Sequence, residues 1–325
     1  MKAIVATDRA AGTAGMRLVE RPAPDTARLA SLEGANYGDV VVAVHASGFT
    51  GNELEWPSTW IDRLGRDRTP SIPGHEVAGV VTALSYGTTG LSVGQRVFGL
   101  TDWTRDGTLA EYVVVEARNL APLPGDVDFT VGAGVAMAGL TAWQGLFDHG
   151  HLLQGQSVLV HGAAGAVGSM ATQLARQAGA YVIGTGRASG RQSAVDFGAH
   201  EFVDLDNDTL EDVGGVDLVF DVIGGDIQKR SAGLVRAGGT LVTVTGPPQA
   251  RPADGLAIDF VVVSNRAQLG EIARRVRDGR VRTNIGSVAA LDDAVAALNP
   301  TERTKGKTVI RVQGEGTYRC SARHQ

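Results

Sequence analysis

Cysteine is almost missing from this chain: the only one in 325 residues is Cys320, close to the C-terminus. One thiol cannot form an intramolecular disulfide, and a cysteine-rich structural zinc site is excluded. Positive charge is not in excess. Lys and Arg number 30 against 35 Asp and Glu, a net charge of −5, so neither nucleic acid nor an anionic membrane surface is expected as a partner. Long apolar runs are lacking as well. The opening MKAIVATDRAAG holds no apolar run long enough for a signal peptide, and no later stretch is long enough to span a bilayer. The expectation is a soluble, cytoplasmic protein. Glycine, by contrast, is plentiful at 44 residues, which implies many tight turns and close backbone approaches. The length suits two domains of ordinary size.

The chain changes rhythm near its middle. Up to about residue 122 it reads as short strands punctuated by Gly and Pro: MKAIVAT, DVVVAVHASG, HEVAGVVTAL, GQRVFGL and LAEYVVVEA. This predicts a compact all-β or β-rich unit such as a barrel. Val40, Val42 and Val44 alternate with Val41, Ala43 and His45, so His45 reads as a strand residue on a solvated or half-buried face. APLPGDVDF, residues 121–129, reads as a crossover. Beyond the helical period of FTVGAGVAMAGLTAWQGLF, strand and helix alternate. SVLVHG, YVIGTG, EFVDL, VDLVFDVIG, GTLVTVTG and DFVVV are the strands; helices fall near 167–177, 191–197 and 226–235. Strands apolar on both faces in a β/α alternation predict a doubly wound parallel sheet. After about Ser264 come an amphipathic helix with Leu269, Ile272, Ala273 and Val276 on one face, a stop at Gly279, and a last strand, KTVIRVQ. The polar final stretch, GEGTYRCSARHQ, is expected to be mobile.

The most specific motif is SVLVHGAAGAVGSMATQLARQAGA. Ala163-x-Gly165-x-x-Gly168 follows an apolar strand and opens a helix, with Gly162 just before it. Gly165 lets backbone approach a pyrophosphate, Gly168 lets helix and strand pack closely, and free N–H groups at the helix start face the phosphate. Gly162, Ala163, Ala164, Gly165, Ala166, Val167 and Gly168 are the expected cradle of a dinucleotide. An NAD site would place Asp or Glu at the end of the next strand, on the ribose 2′-OH. This chain has Gly186, Arg187, Ser189 and Arg191 there. Two guanidiniums and a hydroxyl suit a 2′-phosphate, so NADPH is the expected cofactor. Ile223 and Gly224 in DVIGG, with Thr245 and Gly246 in VTGPP, end the fourth and fifth strands and are expected beside the nicotinamide ribose and ring. His161 reads as structural.

In PSIPGHEVAGVV, His75 and Glu76 follow a Pro-Gly turn. A catalytic zinc needs three protein ligands and an open position, and the pair raises the question of whether His75 holds a metal.

A β-rich first half, PGHEVAGVV, GLTAW, HGAAGAVG and a closing GKTVIRV appear in that order. Together, over residues 1 to 313, they resemble the medium-chain dehydrogenase/reductase superfamily, and within it the zinc-free quinone oxidoreductase and enone reductase branch. The resemblance implies a Rossmann domain, 123–264, inserted in a β-rich GroES-like catalytic domain, 1–122 plus 265–325. It also implies a cleft between them and a homodimer. Zinc-dependent members carry a Cys in the loop after the second long strand, a Gly-His-Glu, and a further ligand before the Rossmann domain. Here the first position falls at or beside Thr50 and the third around Met137 to Gly139, where no good ligand stands. Only His75 matches clearly, with Glu76 and Glu53 as possible carboxylates. No metal is therefore expected. Similar reductases have Asn-x-x-Asp/Glu in that loop; the matched stretch is Thr50-Gly-Asn52-Glu53, with the Asn displaced.

Without zinc a simple carbonyl has no Lewis acid to polarise it. A quinone or enone can instead spread the charge of an added hydride onto an oxygen held by hydrogen bonds. Thr50, Asn52 and His75 are the candidate catalytic residues. Trp56, Trp60 and Trp103 are read either as lining a substrate pocket or as ordinary packing. Asp62 to Arg68 reads as a solvated mixed-charge segment and Lys307 as a surface strand lysine. Two other readings stay open: a zinc-type alcohol dehydrogenase with altered ligands, and a non-catalytic NADPH-binding or sensor protein.

Overall fold

The computed structural model describes residues 1–31, 37–301 and 305–313; the tail 314–325, expected to be mobile, lies outside the described residues, as does Cys320. Contacts divide the chain into two compact units. One comprises Met1–Ala136, Ser264–Arg277 and the segment from Ile285; the other comprises Met137–Val263 and Asp278–Asn284.

The first unit is built on antiparallel pairing. β1 (Lys2–Val5) and β2 (Arg17–Glu20) form a two-stranded sheet. A seven-stranded sheet contains β3 (Asp39–Gly48), β4 (Glu76–Leu84), β5 (Arg96–Leu100), β6 (Tyr112–Glu116) and β7 (Leu120–Pro122), with β14 (Ile285–Ala290) and β15 (Lys307–Arg311) from the end of the chain. Its order is β14-β15-β3-β4-β5-β7, with β6 paired to β3. β3 is central. One edge bonds β4, the other bonds β6 over Asp39–Ala43 and then β15 over Ala46–Gly48. Register shifts near Val41/Val42 and Val44/Ala46 bend the strand. Valines 40, 42, 44, 77, 81 and 97 form one core cluster; Ile4, Leu54, Leu109 and Ile310 belong to another.

All ten residues of β3 are buried. His45 is therefore not on a solvated face: its ring stacks on Phe129, centroids 4.3 Å apart. The alternating pattern misleads here because both faces of this strand are covered, so that every residue along it is buried. The short β2, β7 and β14 were not foreseen; β7 overlaps the start of the expected crossover.

The second unit is a six-stranded, wholly parallel sheet of β8 (Ser157–Val160), β9 (Tyr181–Gly186), β10 (Glu201–Asp204), β11 (Val216–Asp221), β12 (Val235–Thr243) and β13 (Gly255–Asp259). The order β10-β9-β8-β11-β12-β13 reverses between β8 and β11. It is the doubly wound order in which ligands bind beyond the C-terminal strand ends at the reversal. Helices Ala166–Gln177, Arg191–Asp196 and Gly225–Ala232 connect the strands. Two expectations are corrected. The third helix stops at Ala232, because Val235 already pairs with Val216 in the sheet. The last strand is Gly255–Asp259, not DFVVV. Gly255 fits closely against Gly239, where an added Cβ would fall 2.5 Å from a carbonyl oxygen. The valine-rich run, despite its β propensity, lies past the paired register.

Candidate functional site

In the second unit, three glycines shape the turn after β8. Gly162 has φ +64°, a left-handed conformation that favours glycine. A Cβ on Gly168 would lie 2.1 Å from the Gly162 carbonyl oxygen, so the helix starts in contact with the turn. Gly165 is exposed and meets nothing closer than 3.1 Å; its missing side chain leaves room for a ligand rather than for the protein. Ala163 is buried and packs its methyl group against Gly184 of β9, which explains alanine at that place. The helix begins at Ala166, and no side chain caps Gly165. The first N–H groups, over Ala166, Val167 and Gly168, form the kind of helix start that accepts a phosphate. Asn284 donates to the Ala164 carbonyl at 2.7 Å and fixes the turn's outer side.

At the end of β9, Gly186 lies against the Phe202 ring, and Arg187 and Ser189 are exposed. Arg191 is differently placed. It donates to the Phe202 carbonyl at 2.9 Å, pairs with Asp208 at 3.3 Å and lies over the Phe202 ring. The two guanidiniums are thus not equivalent: among the described residues no carboxylate pairs with Arg187. The acid in register with Gly186 at this strand end, Asp204, is buried and accepts from Asn207 at 2.7 Å; that bond is the main reason its pKa is lowered.

The turns after β11 and β12 bring Ile223, Gly224, Thr245 and Gly246 to the same end of the sheet. A Cβ on Gly162 would meet Val222 at 3.1 Å, and one on Gly224 would meet the Thr245 hydroxyl at 2.6 Å. The sequence-assigned turns therefore abut one another. His161 lies beneath them, fully buried, with Nδ1 2.8 Å from the Thr185 hydroxyl and Nε2 2.7 Å from that of Ser231. Ser231 donates its proton to the Ile227 carbonyl, so His161 carries its hydrogen on Nε2. Burial pushes its pKa down to about 4, and its role is structural.

The first unit holds a buried acid–imidazole pair. His75 is 1% exposed. Its Nδ1 is 3.1 Å from the Thr101 hydroxyl, and its Nε2 lies 3.6 Å from Glu53 Oε1. Trp56 stacks along the ring and Trp103 meets it edge-on, with centroids at 6.0 Å and 4.9 Å. Trp60 instead is buried packing, its Nε1 donating to the Leu54 carbonyl at 2.7 Å. Burial first, then the charge of Arg68, lowers the His75 pKa to about 3, so the imidazole is neutral at pH 7. Arg68 thereby departs from the solvated segment around it: its side chain is 9% exposed and donates to the Ser58 carbonyl.

Glu53 is fully buried. It accepts from the backbone of Gly74, beside His75, and from that of Thr50, while its Oε2 has no hydrogen-bond partner among the described residues. Burial raises its pKa to about 8 against these bonds, leaving a protonated carboxylic acid at neutral pH. Glu53 ties the Thr50 turn to His75. Thr50 is half-buried, and Asn52 is exposed at the mouth of the turn. Glu76 is also buried. Lys307 Nζ donates to its Oε1 at 2.5 Å, and both side chains are at most 7% exposed. Lys307 is thus not a surface lysine. A buried carboxyl group must be paired or protonated, and Glu76 at the head of an apolar strand was the signal of it available in the sequence. Gly48 makes room: a Cβ there would fall 1.9 Å from Glu76 Oε2.

These residues do not fit a catalytic zinc. His75 turns one nitrogen to Thr101 and the other to a carboxylic acid, and Glu76 is neutralised by Lys307. Among the described residues no group of three or more His, Cys, Asp or Glu could hold a metal ion. A cavity of about 760 Å³ also opens in this unit, but Thr50, Asn52 and His75 do not line it. Arg63, Arg66 and Arg105 in its wall are each paired with an aspartate.

Comparison with known proteins places this geometry. Residues 36–125 match the alcohol dehydrogenase GroES-like domain and residues 197–310 the zinc-binding dehydrogenase family. A quinone oxidoreductase of Lama guanicoe is 33% identical over 268 residues, 75% of this chain and 81% of its own length. A 2-methylene-furan-3-one reductase of Solanum lycopersicum is 32% identical, over 76% of this chain and 66% of that protein. The chain spans only 10% of a Streptomyces orinoci spectinabilin polyketide synthase protein, with 35% identity over 71% of this chain. A solved structure of a mycobacterial protein complexed with NADPH superimposes with a TM-score of 0.80 and 25% identity, covering 96% of this chain and all of the other. Among the described residues no helix is long and apolar enough to cross a membrane. The chain belongs to the medium-chain dehydrogenase/reductase superfamily, in its quinone oxidoreductase-like branch, and has the fold of a nicotinamide-dependent oxidoreductase.

Proposed function

We propose that this protein is an NADPH-dependent, zinc-independent reductase acting on quinones or α,β-unsaturated carbonyl compounds. The observation that carries the reading is the pairing of neutral His75 with protonated Glu53 beside Trp56 and Trp103. This apolar, aromatic surface offers hydrogen-bond donors but no Lewis acid. Such a site cannot polarise an isolated carbonyl strongly. It suits a conjugated acceptor, whose oxygen takes up charge gradually and needs only a few fixed donors. Thr50, Asn52 and His75 are assigned to this site, Thr50 and Asn52 as the donors and His75, its nitrogens turned to Thr101 and Glu53, as the group behind them. The quinone oxidoreductase and furanone reductase relatives support the acceptor class.

Bound NADPH would supply the hydride. The turn from Gly162 to Gly168 is assigned to its pyrophosphate, Arg187 with Gly186 and Ser189 to its 2′-phosphate, and Ile223, Gly224, Thr245 and Gly246 to its nicotinamide half. Arg191 serves in a supporting place, since Asp208 already holds it. The NADPH complex among the solved structures supports the cofactor choice. Residues 1–122 with 265–325 are assigned as the catalytic domain and 123–264 as the cofactor domain. A cytoplasmic homodimer fits the reading: β13 is an edge strand, and Leu256, Val261 and Val263 on and after it are 57%, 75% and 63% exposed.

The test is steady-state oxidation of NADPH and NADH with a panel of quinones, enones and simple aldehydes. Turnover of conjugated acceptors, with NADPH preferred and aldehydes inert, is expected. Turnover of aldehydes alone would move the protein to the alcohol dehydrogenase reading. Tight NADPH binding without turnover of any acceptor would make it a sensor.

A further inference from the structure

Asp221 stands at the C-terminal end of β11, fully buried, and among the described residues four neutral groups donate to its carboxylate. Oδ1 accepts from the backbone N–H of Ile223 at 2.9 Å and of Gly224 at 3.0 Å. Oδ2 accepts from the Thr243 hydroxyl at 2.8 Å and the Gln228 amide at 3.3 Å. One carboxylate thus pins two turns. Its first oxygen closes the turn after β11. Its second, through Thr243, holds the turn after β12, and the Gln228 Oε1 accepts from Gln249 N–H at 2.7 Å on that turn's far side.

The proton count then fixes a direction. A carboxylate only accepts, so Thr243 gives its one hydroxyl proton to Asp221. The Thr243 oxygen must therefore accept from the Thr245 N–H at 3.2 Å and from the Thr245 hydroxyl at 3.0 Å. The Thr245 proton points inward along the chain Thr245 to Thr243 to Asp221. Its oxygen lone pairs are what remain on the exposed side.

We propose that Asp221 is a positioning residue for the cofactor: it sets the exposed Thr245 hydroxyl as a hydrogen-bond acceptor for a donor on the nicotinamide half. The inference rests on the assignment of the Ile223 and Thr245 turns to that half. Asp221 itself touches no ligand. The donor chemistry has two sources, the carboxamide N–H and a ribose hydroxyl.

The experiment measures the affinity of the full chain for three probes by fluorescence titration. They are NADPH, its 3-acetylpyridine analogue, which lacks the carboxamide N–H, and 2′,5′-ADP, which lacks the whole nicotinamide half. Thr245→Val and Thr243→Val are compared with Thr243→Ser, which keeps the hydroxyl. One lost hydrogen bond corresponds to about five- to tenfold in affinity. Both valine variants should lose that much for NADPH, keep their 2′,5′-ADP affinity, and Thr243→Ser should behave as wild type. If the acetylpyridine analogue is unaffected, the donor is the carboxamide; if it weakens in parallel with NADPH, the donor is a ribose hydroxyl. A uniform loss for all three probes, or none for any, would overturn the proposal. So would a silent Thr243→Val beside an affected Thr245→Val, because the orientation would then not come from Asp221. Failure of the wild-type protein to bind any probe would instead remove the cofactor reading beneath it.

Discussion

The two units handle polar groups in opposite ways. The second unit makes its binding surface from backbone: glycine turns, an uncapped helix start and a buried aspartate satisfied by four neutral donors. The first unit makes its surface from buried ionisable side chains, with Glu53, His75, Glu76 and Lys307 all under 10% exposed. Backbone cradles cost little in stability, since their groups are uncharged and the free N–H groups of a helix start can bond water when no ligand is present. Buried acids and imidazoles are costly and are characteristic of places where chemistry is done. On the function proposed above, the difference would separate a half that holds the cofactor from a half that faces the substrate.

The comparison is broken most severely at Gly165. Gly165→Val should leave the fold largely intact, because its φ of −81° suits any residue and the added Cβ meets only the Gly162 carbonyl oxygen, at 3.1 Å, which need shift by only a few tenths of an ångström. Cofactor binding should nonetheless vanish in a titration. Gly168→Val, with its Cβ 2.1 Å from a carbonyl oxygen, should instead lower the unfolding midpoint as well. Equal behaviour of the two would mean the turn's roles are misassigned.

Next in size is the buried ion pair. Lys307→Met leaves Glu76 buried without its cation and should cost about 3–5 kcal/mol in denaturant unfolding. The double variant Glu76→Gln/Lys307→Met should recover much of that loss. A single variant as stable as wild type would show that the pair is not buried.

Glu53→Gln should go the other way and stabilise the protein. Burial raises the folded pKa of Glu53 from 4.5 to about 8. The unfolded chain loses its proton above pH 4.5 while the folded chain keeps it, so the wild type loses stability as pH rises from 4.5 to about 8. The gain in the variant should be absent near pH 4 and amount to about 3 kcal/mol at pH 7. His75 contributes at the other side. Its folded pKa is depressed from 6.5 to about 3, so its contribution is present above pH 6.5 and lost as pH falls toward 3. Urea midpoints across pH 4 to 9 check both signs. The smallest effect contrasts the arginines: Arg187→Ala should weaken NADPH about tenfold and leave NADH unchanged, with Arg191→Ala weaker still in effect on binding.

The same contrast decides what could be read from the sequence. The second unit's parallel β/α class was legible from its alternating apolar strands and helices, and the tight turn after β8 from Gly162, Gly165 and Gly168, local steric signals within seven residues. The separate roles of Arg187 and Arg191 were not, since Asp208 lies on a different loop. In the first unit the strands from Asp39 and Glu76 were legible from their apolar runs. His45 was misplaced because a period of two cannot reveal a strand covered on both faces. The acid–imidazole site was only half visible. His75 announced itself, but Glu53, Thr101, Arg68 and Lys307 reach it from separate segments, and none sits in a pattern that reports burial.

The most direct test of the account is turnover by protein stripped of metal with a chelator, assayed with NADPH and a conjugated acceptor, before and after zinc is added back. The account predicts full activity without metal and no gain from zinc. Inactive stripped protein that zinc restores would contradict it and make His75 a metal ligand.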